Sequence, residues 1–392
     1  MNKIIVDFKM KLYYNAYMQA LIKWPGGKTS EYEIIKKFVP EYSRYIEPFF
    51  GGGAVFFNML PQPAIINDIS ANLMRFYHYI KKQDKKFKEC LYSIDKEWSL
   101  LKELANNEAI TLKTLFAQYR QDETLKPCIE ETINNCCQSI TASIANCSKI
   151  VMNTDVLHKE ICRMVKDKVF RTRKNELKNG KDLSDEDLQN NIITGFTSGY
   201  YMYLRDVLNR IEKHNEIFIA EEYKIAIFYF VREFCYGSMF RYNKSGNFNI
   251  PYGGMAYNNK DFKKKIDLLF SEETQTYFKN TEIFCCDFEE VLDKAQEDDF
   301  IFLDPPYDTD FSDYENRSFG ELDQRRLAKR LHDTKAKFLL IIKNTPLISE
   351  LYQNNGYRVY AFDNKYSYCV KGRNDRNAVH LIVTNYDLDK TF

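Results

Sequence analysis

Neither sign of charge dominates this sequence. Its 56 Lys and Arg stand against 55 Asp and Glu, a formal net charge of +1. Bulk charge therefore does not announce a nucleic-acid binder, and only a local basic patch could hold phosphate. Tryptophan and histidine are scarce, at 2 and 5 residues. The 10 cysteines show no paired CxxC spacing: Cys136-Cys137 and Cys285-Cys286 are adjacent, not ligand pairs. With the histidines scattered, no metal-binding set is legible. No apolar run approaches a membrane span, and no leader-like segment opens the chain. Together these absences read as a reducing, cytoplasmic compartment with free thiols and no membrane partner. There is no internal repeat and no low-complexity tract. What is abundant is Tyr and Phe, 28 and 29 of them. They supply core volume and rings able to stack on bases. The length of 392 residues accommodates two domains.

The apolar pattern divides the chain in three. Tyr45 to Phe50 reads as a short buried strand entering a turn, Gly51-Gly52-Gly53 as the turn, and Ala54 to Leu60 as a helix. Ala64 to Asp68 reads as a second strand ending on an acid. Residues 81–230 change character: rich in Lys, Glu, Asn and Gln at helical spacing, with few strand signals. From about 282 the α/β pattern returns. Glu282–Cys286, Phe300–Leu303, Phe338–Ile342, Tyr357–Phe362 and Val379–Thr384 are strand-like, with a helix over Glu321–Thr334. The expectation is one α/β domain split by a long, mostly helical insertion. Residues 1–17 carry no motif, and the organised chain is expected to start near Met18.

Two loops carry chemistry. Glycines after a strand let backbone N–H groups approach a ligand without Cβ interference. An acid closing the next strand, about twenty residues on, can accept from ribose hydroxyls. Asp68 fills that position, but the pyrophosphate pattern G-x-G-x-x-G fails because position 56 is Phe. An adenosyl ligand without phosphates fits better; a purely structural turn is the plain alternative. The second loop is Asp304-Pro305-Pro306-Tyr307, after the run Phe300–Leu303. Strand-end carboxylates of such sheets face the ligand crevice. Two prolines fix the backbone and leave carbonyls free. Asp304 and the Pro305 carbonyl could each take one proton of an exocyclic amine such as adenine N6, making its nitrogen a nucleophile, while Tyr307 stacks on the base. A loop following a buried strand is the bland reading.

Four separated segments carry a resemblance. Lys23-Trp24-Pro25-Gly26-Gly27-Lys28 looks like W-x-G-G-K, and Glu47 to Gly53 like E-P-F-x-G-x-G. Arg241 to Gly253 looks like R-x-N-x-x-G-x-F-N-x-P-x-G, and Asp304 to Tyr307 is DPPY. In this order they are similar to the Dam-like, D12-class (alpha-type) DNA adenine N6-methyltransferases. The resemblance implies a Rossmann-like S-adenosylmethionine-dependent methyltransferase sheet interrupted by a largely helical target-recognition domain. Residues 20–84 and 282–392 would form the catalytic domain, 85–281 the inserted DNA target-recognition region with a hairpin over 232–256, and 1–19 an N-terminal extension.

Residue by residue, it implies that Trp24, Gly26, Gly27 and Lys28 contact S-adenosylmethionine or border its site. Glu47, Phe49, Gly51 and Gly53 would lie beneath its methionine end. Asp68 would take the ribose hydroxyls, and Asp287 and Phe288 would hold the cofactor adenine by hydrogen bond and stacking. Asp304, also at the cofactor, Pro305 and Tyr307 would carry the catalysis. Tyr236, Arg241, Asn243 and Pro251 would meet double-stranded DNA, although Asn and Gly in that stretch also suit a tight hairpin. A cognate restriction endonuclease is the partner typical of such enzymes. Members that read GATC carry a basic residue four positions after the motif's proline. Here it is Met255, which cannot donate to guanine, so another short adenine-containing site is expected.

Alternatives stay open. The acceptor could be RNA adenine or a cytosine N4 amine, though DPPY favours adenine and the Arg241 stretch DNA. Asp206 with Glu222-Tyr223-Lys224 has the outline of a nuclease D…E-x-K site. A non-catalytic DNA binder of the same fold is a third reading. The basic run Arg163, Lys166, Lys168, Arg171, Arg173, Lys174, Lys178 and Lys181, against Asp167 and Glu176, is a solvated helix face or a phosphate-contacting surface.

Overall fold

The computed structural model describes residues 20–148, 151–214, 219–307, 319–353, 355–365 and 377–388. The N-terminal extension 1–19 lies outside them. The described residues form two compact units: those of 20–81 with 272–388, and those of 82–271.

The first unit is built on a seven-stranded sheet. Its strands are β1 Arg44–Glu47, β2 Ala64–Asn67, β3 Thr281–Phe284, β4 Asp299–Leu303, β5 Lys337–Lys343, β6 Arg358–Lys365 and β7 Asn377–Thr384. They lie in the order β3-β2-β1-β4-β5-β7-β6. β1 to β5 are parallel, and β7 runs antiparallel between β5 and β6. β1, β2, β4 and β5 are short apolar runs buried on both faces, as parallel strands covered by helices require. In β4 all five residues are buried. The core beneath includes Ile46, Ile301, Leu303, Phe338 and Leu340, closed by Leu327 and Leu331 of the helix Glu321–Asp333. The strand order reverses between β1 and β4. Ligands of open α/β sheets bind over the carboxyl ends at such a switch point. Both loops singled out by sequence leave from it: the glycine loop from β1 and the DPPY loop from β4.

The second unit is helical. Its longest helix, Lys85–Gln121, starts where the Asp84 side chain accepts from Phe87 N at 2.8 Å. It buries Phe87, Leu91, Ile94, Trp98, Leu101, Ala105, Leu112 and Phe116, the three-to-four spacing of one helical face. Lys126–Cys147, Thr154–Asn179, Asp185–His214 and Glu221–Phe234 follow. Gly180, at φ 62°, stops the third of these five helices in the left-handed cap that glycine adopts without strain. Close packing of Asp185–His214 needs glycine as well. A Cβ on Gly199 would lie 2.4 Å from the Ile161 Cα.

Each sequence-expected strand has its counterpart in the sheet, with no end moved by more than three residues. The sheet and the many helices are a mixed α/β architecture consistent with a methyltransferase fold. Among the described residues no helix is long and apolar enough to cross a membrane, and nine free cysteines are present.

Candidate active site

The glycine loop is folded against Trp24. Gly51 and Gly53 have φ of 50° and 68°, where glycine is at ease. A Cβ on Gly51 would lie 2.8 Å from the Trp24 ring and one on Gly52 3.1 Å from the Trp24 Cβ. The W-x-G-G-K and E-P-F-x-G-x-G segments thus meet side against backbone. Asp68 fastens the loop: one carboxylate oxygen accepts from Gly51 N and the other from Ser70 N, both at 2.9 Å. Asn67, 1% exposed, staples three segments together. Its amide donates to the Pro48 and Cys286 carbonyls, and its oxygen accepts from Cys286 N at 3.0 Å. No motif marks Asn67; its role follows from the β2–β3 register.

Three acids close the ends of β1, β2 and β4. Burial pushes the Glu47 carboxyl well above its ordinary range; the Tyr45 hydroxyl, donating at 2.8 Å, pulls the other way, and Asp304 and Asp68 add to the rise. Burial also raises Asp68, opposed by the Ser70 and Gly51 N–H groups. Burial likewise raises Asp304, and there Lys28 opposes it. The Lys28 ammonium lies 2.7 Å from the Asp304 carboxylate, with side chains 7% and 19% exposed. It donates to the Gly26 carbonyl at 3.0 Å and sits 5.6 Å from the Tyr307 ring centroid. Burial disfavours the Lys28 charge, but the attraction of Asp304 and Tyr307 outweighs it and holds the amine above the usual lysine range. Lys28 thus restrains the rise that burial imposes on Asp304. Lys28 itself is 6% exposed, a buried lysine and not a surface one.

In the Asp287-Phe288 segment, Phe288 is 5% exposed and belongs to the core. Phe49 and Phe319 pack on it at 5.4 and 5.8 Å, and the Arg326 guanidinium lies 4.9 Å from its centroid. The helix Phe288–Leu292 turns this residue inward, while the adjoining Phe49 keeps a half-buried edge. Asp287 caps that helix, accepting from Glu289 N at 3.0 Å and from Arg326 at 2.8 Å.

In the helical unit, Asn243 and Asn247 close a tight turn: Asn243 N donates to the Asn247 carbonyl, and the Asn243 side chain accepts from Asn247 N. Gly246 in that turn has φ 67°. Asn243 is thus a turn-closing residue here, with its side-chain oxygen already occupied. Arg241 is exposed, braced at 2.9 Å by Asn249, while Tyr236 is 47% exposed and Pro251 exposed. The hairpin hangs on one face of the helix Asp185–His214. Tyr201 and Arg205 donate to the Ile250 carbonyl, and Asn209 pairs with both backbone groups of Phe248. Their spacing of four is that of one helical face.

The basic run of 163–181 is partly spent. Arg163 pairs with Glu160 and Arg171 with Asp167, while Arg173 donates to the Arg120 carbonyl. Lys174, Lys178 and Lys181 are exposed. Of the nuclease-like trio, Asp206 pairs with Arg210 at 2.9 Å and Glu222 with Lys86 at 3.1 Å.

The sheet order and the two loops at its switch point define the class: an α/β methyltransferase-type protein. Comparison with known proteins agrees. The model of the family described as D12 class N6 adenine-specific DNA methyltransferase matches residues 24–192 and 177–368. The type II methyltransferase M.CviBI of Paramecium bursaria Chlorella virus NC1A is 26% identical over 377 residues, covering 94% of this chain and 100% of that protein. The DNA N-6-adenine-methyltransferase of Escherichia phage P1 is 24% identical, over 94% of this chain and 35% of that much longer protein. The retron Ec67 DNA adenine methylase of Escherichia coli is 37% identical over 139 residues, 35% of this chain and 47% of its own length. The chain belongs to the D12 class of N6 adenine-specific DNA methyltransferases.

Proposed function

We propose that the methyl donor is S-adenosylmethionine, bound over the ends of β1 and β4, and that the acceptor is an adenine flipped out of double-stranded DNA at a specific short site. The observation that carries the donor assignment is the loop geometry at the switch point: Gly51 and Gly53 sit at positive φ, Gly51 against Trp24, and Asp68 accepts from Gly51 N and Ser70 N. Phe56 interrupts the pyrophosphate pattern there, so an adenosyl ligand without phosphates fits better. S-adenosylmethionine supplies an electrophilic methyl when bound. Trp24, Gly26, Gly27, Phe49, Gly51 and Gly53 would shape its pocket, Asp68 would meet the ribose through its remaining lone pairs, and Asp287 would meet the adenine.

Asp304 would accept one N6 proton and the Pro305 carbonyl the other, drawing the nitrogen toward tetrahedral geometry. Lys28 opposes the burial-driven rise of Asp304 and so favours the carboxylate form that accepts. Tyr307 would stack on the base. Tyr236, Arg241 and Pro251, on the hairpin, would face DNA, with residues 85–281 as the recognition region. The relatives named type II methyltransferases support a place in a restriction–modification pair with a cognate endonuclease, working in the cytoplasm.

The deciding experiment is modification-sensitive sequencing of DNA from a host expressing the protein, together with transfer from labelled S-adenosylmethionine in vitro. N6-methyladenine within one recurrent motif is the expected result. Bound cofactor with no methyl reaching any unmethylated DNA would sink the proposal.

A further inference from the structure

The DPPY segment has a mechanical problem that its composition creates. Pro305 and Pro306 carry no N–H. The backbone between Asp304 and Tyr307 therefore cannot be tied down by its own amides there, and only carbonyls and side chains remain to hold it. The structure shows two such holds, neither within a recognised motif.

The first is Gln324, on the helix Glu321–Asp333. It is fully buried and its amide nitrogen donates to the Pro306 carbonyl at 2.9 Å. A carbonyl only accepts, so the assignment of nitrogen to that side is forced. Its amide oxygen meets no donor among the described residues. Burying an unmet acceptor is destabilising. Leucine would fill the place beside Leu327 without that cost, so what the amide contributes is the tether.

The second hold is His380 on β7, 1% exposed and in register with Lys343 at the carboxyl end of β5. That end of the parallel sheet also carries Asp304. The imidazole lies 5.4 Å from the Tyr307 ring, at 56° between planes, and Lys28 approaches the same ring at 5.6 Å.

We propose that Gln324 and His380 are positioning residues for methyl transfer: they fix the Pro306 carbonyl and the Tyr307 ring, and with them the acceptor carbonyl and carboxylate on either side. The inference rests on the roles given above to Asp304 and Tyr307. A misplacement of about 1 Å at a reacting centre costs on the order of 100-fold in rate. The loss belongs to the transfer step, not to cofactor binding.

The test uses the full chain, unmethylated genomic DNA and labelled S-adenosylmethionine, and reads three quantities: thermal midpoint, cofactor Kd and single-turnover transfer rate. Gln324→Leu is expected to slow single turnover about 10- to 100-fold, with the cofactor Kd within about twofold of wild type. Gln324→Glu should be slow at high pH and recover as pH falls, because only its protonated carboxyl can donate to the Pro306 carbonyl. His380→Ala should lose about tenfold, and His380→Phe, which keeps a ring against Tyr307, should regain most of it. Wild-type single-turnover rates in the folded variants would overturn the proposal. So would losses confined to Kd or to thermal midpoint. Should Gln324→Leu fail to fold, the pH recovery of Gln324→Glu decides, and a flat profile overturns the tether. Asp304→Ala run in parallel separates the two ideas: if it transfers normally the DPPY assignment itself falls, whereas if it is dead beside a normal Gln324→Leu, only the tether falls.

Discussion

Lys28 and Asp304 form a buried ion pair at 2.7 Å, joining the first motif of the chain to the last. The pair favours the carboxylate form of Asp304 inside a site whose burial pulls toward the protonated form. Breaking such a pair by removing one partner typically costs about 3–5 kcal/mol.

Lys28→Met is therefore expected to lower the thermal midpoint and to change the pH dependence of transfer. Burial raises the Asp304 pKa and Lys28 restrains that rise. Without the ammonium the pKa climbs further, so the acidic limb of the pH–rate profile moves to higher pH. Asp304→Ala should remove that limb together with the activity, by a factor on the order of 10² to 10⁴, while DNA binding measured by gel shift stays near wild type. An acidic limb that stays in place in Lys28→Met would show that it reports another group.

Glu47 predicts a stability signature. Its folded-state pKa lies well above the ordinary carboxyl value, first because of burial. The folded protein thus holds a proton that the unfolded chain has released. Stability is greatest below the unfolded pKa and declines as pH rises toward the folded one, by about 1.4 kcal/mol per pH unit. Glu47→Gln removes the titration, and Tyr45 can donate to the new amide oxygen. Its thermal midpoint should change less than wild type's with rising pH, with the advantage largest at the alkaline end. Parallel melting curves across pH 4 to 9 (about that window) would contradict this.

Two glycines of one loop should fail differently. A Cβ on Gly53 would meet the buried rings of Phe50 at 2.5 Å and Phe57 at 2.8 Å, so Gly53→Ala should cost about 1–3 kcal/mol in denaturant unfolding. A Cβ on Gly51 would meet Trp24 at 2.8 Å. That ring is half-buried and can swing aside. Gly51→Ala should therefore spare more of the stability and weaken S-adenosylmethionine binding, read by titration calorimetry. Equal losses in both properties for both variants would refute the division.

Asn209 holds the hairpin by both backbone groups of Phe248, at 2.8 and 3.0 Å. Asn209→Ala leaves that N–H and carbonyl buried without their partner, at about 1–3 kcal/mol. Because the hairpin is the proposed DNA reader, discrimination between cognate and non-cognate sites should shrink while cofactor Kd holds. Unaltered site preference by methylation mapping would remove the hairpin from recognition.

Much of the fold could be read in advance because the signals are local. A parallel strand buried on both faces is a short apolar run, and β1, β2, β4 and β5 each announce themselves so. Glycine loops and proline pairs act on their own backbone, so the E-P-F-x-G-x-G and DPPY segments were visible one at a time. Helical spacing exposed the insertion as helical. The packing of Phe288 was not legible for the complementary reason: which side of a short helix faces the core depends on what packs there, and Phe49, Phe319 and Arg326 come from elsewhere in the chain.

By itself, then, the sequence determined the family and the alternation of strands and helices, since each rests on residues adjacent or periodically spaced. Only the tertiary structure decided that Lys28 pairs with Asp304, that Asn67 staples three loops, that Gln324 reaches the Pro306 carbonyl and that one helix face carries the hairpin. Each of these is a contact between segments distant in the chain. Strand order and register set the distances involved, and hydrogen bonds and ion pairs act only over a few ångströms.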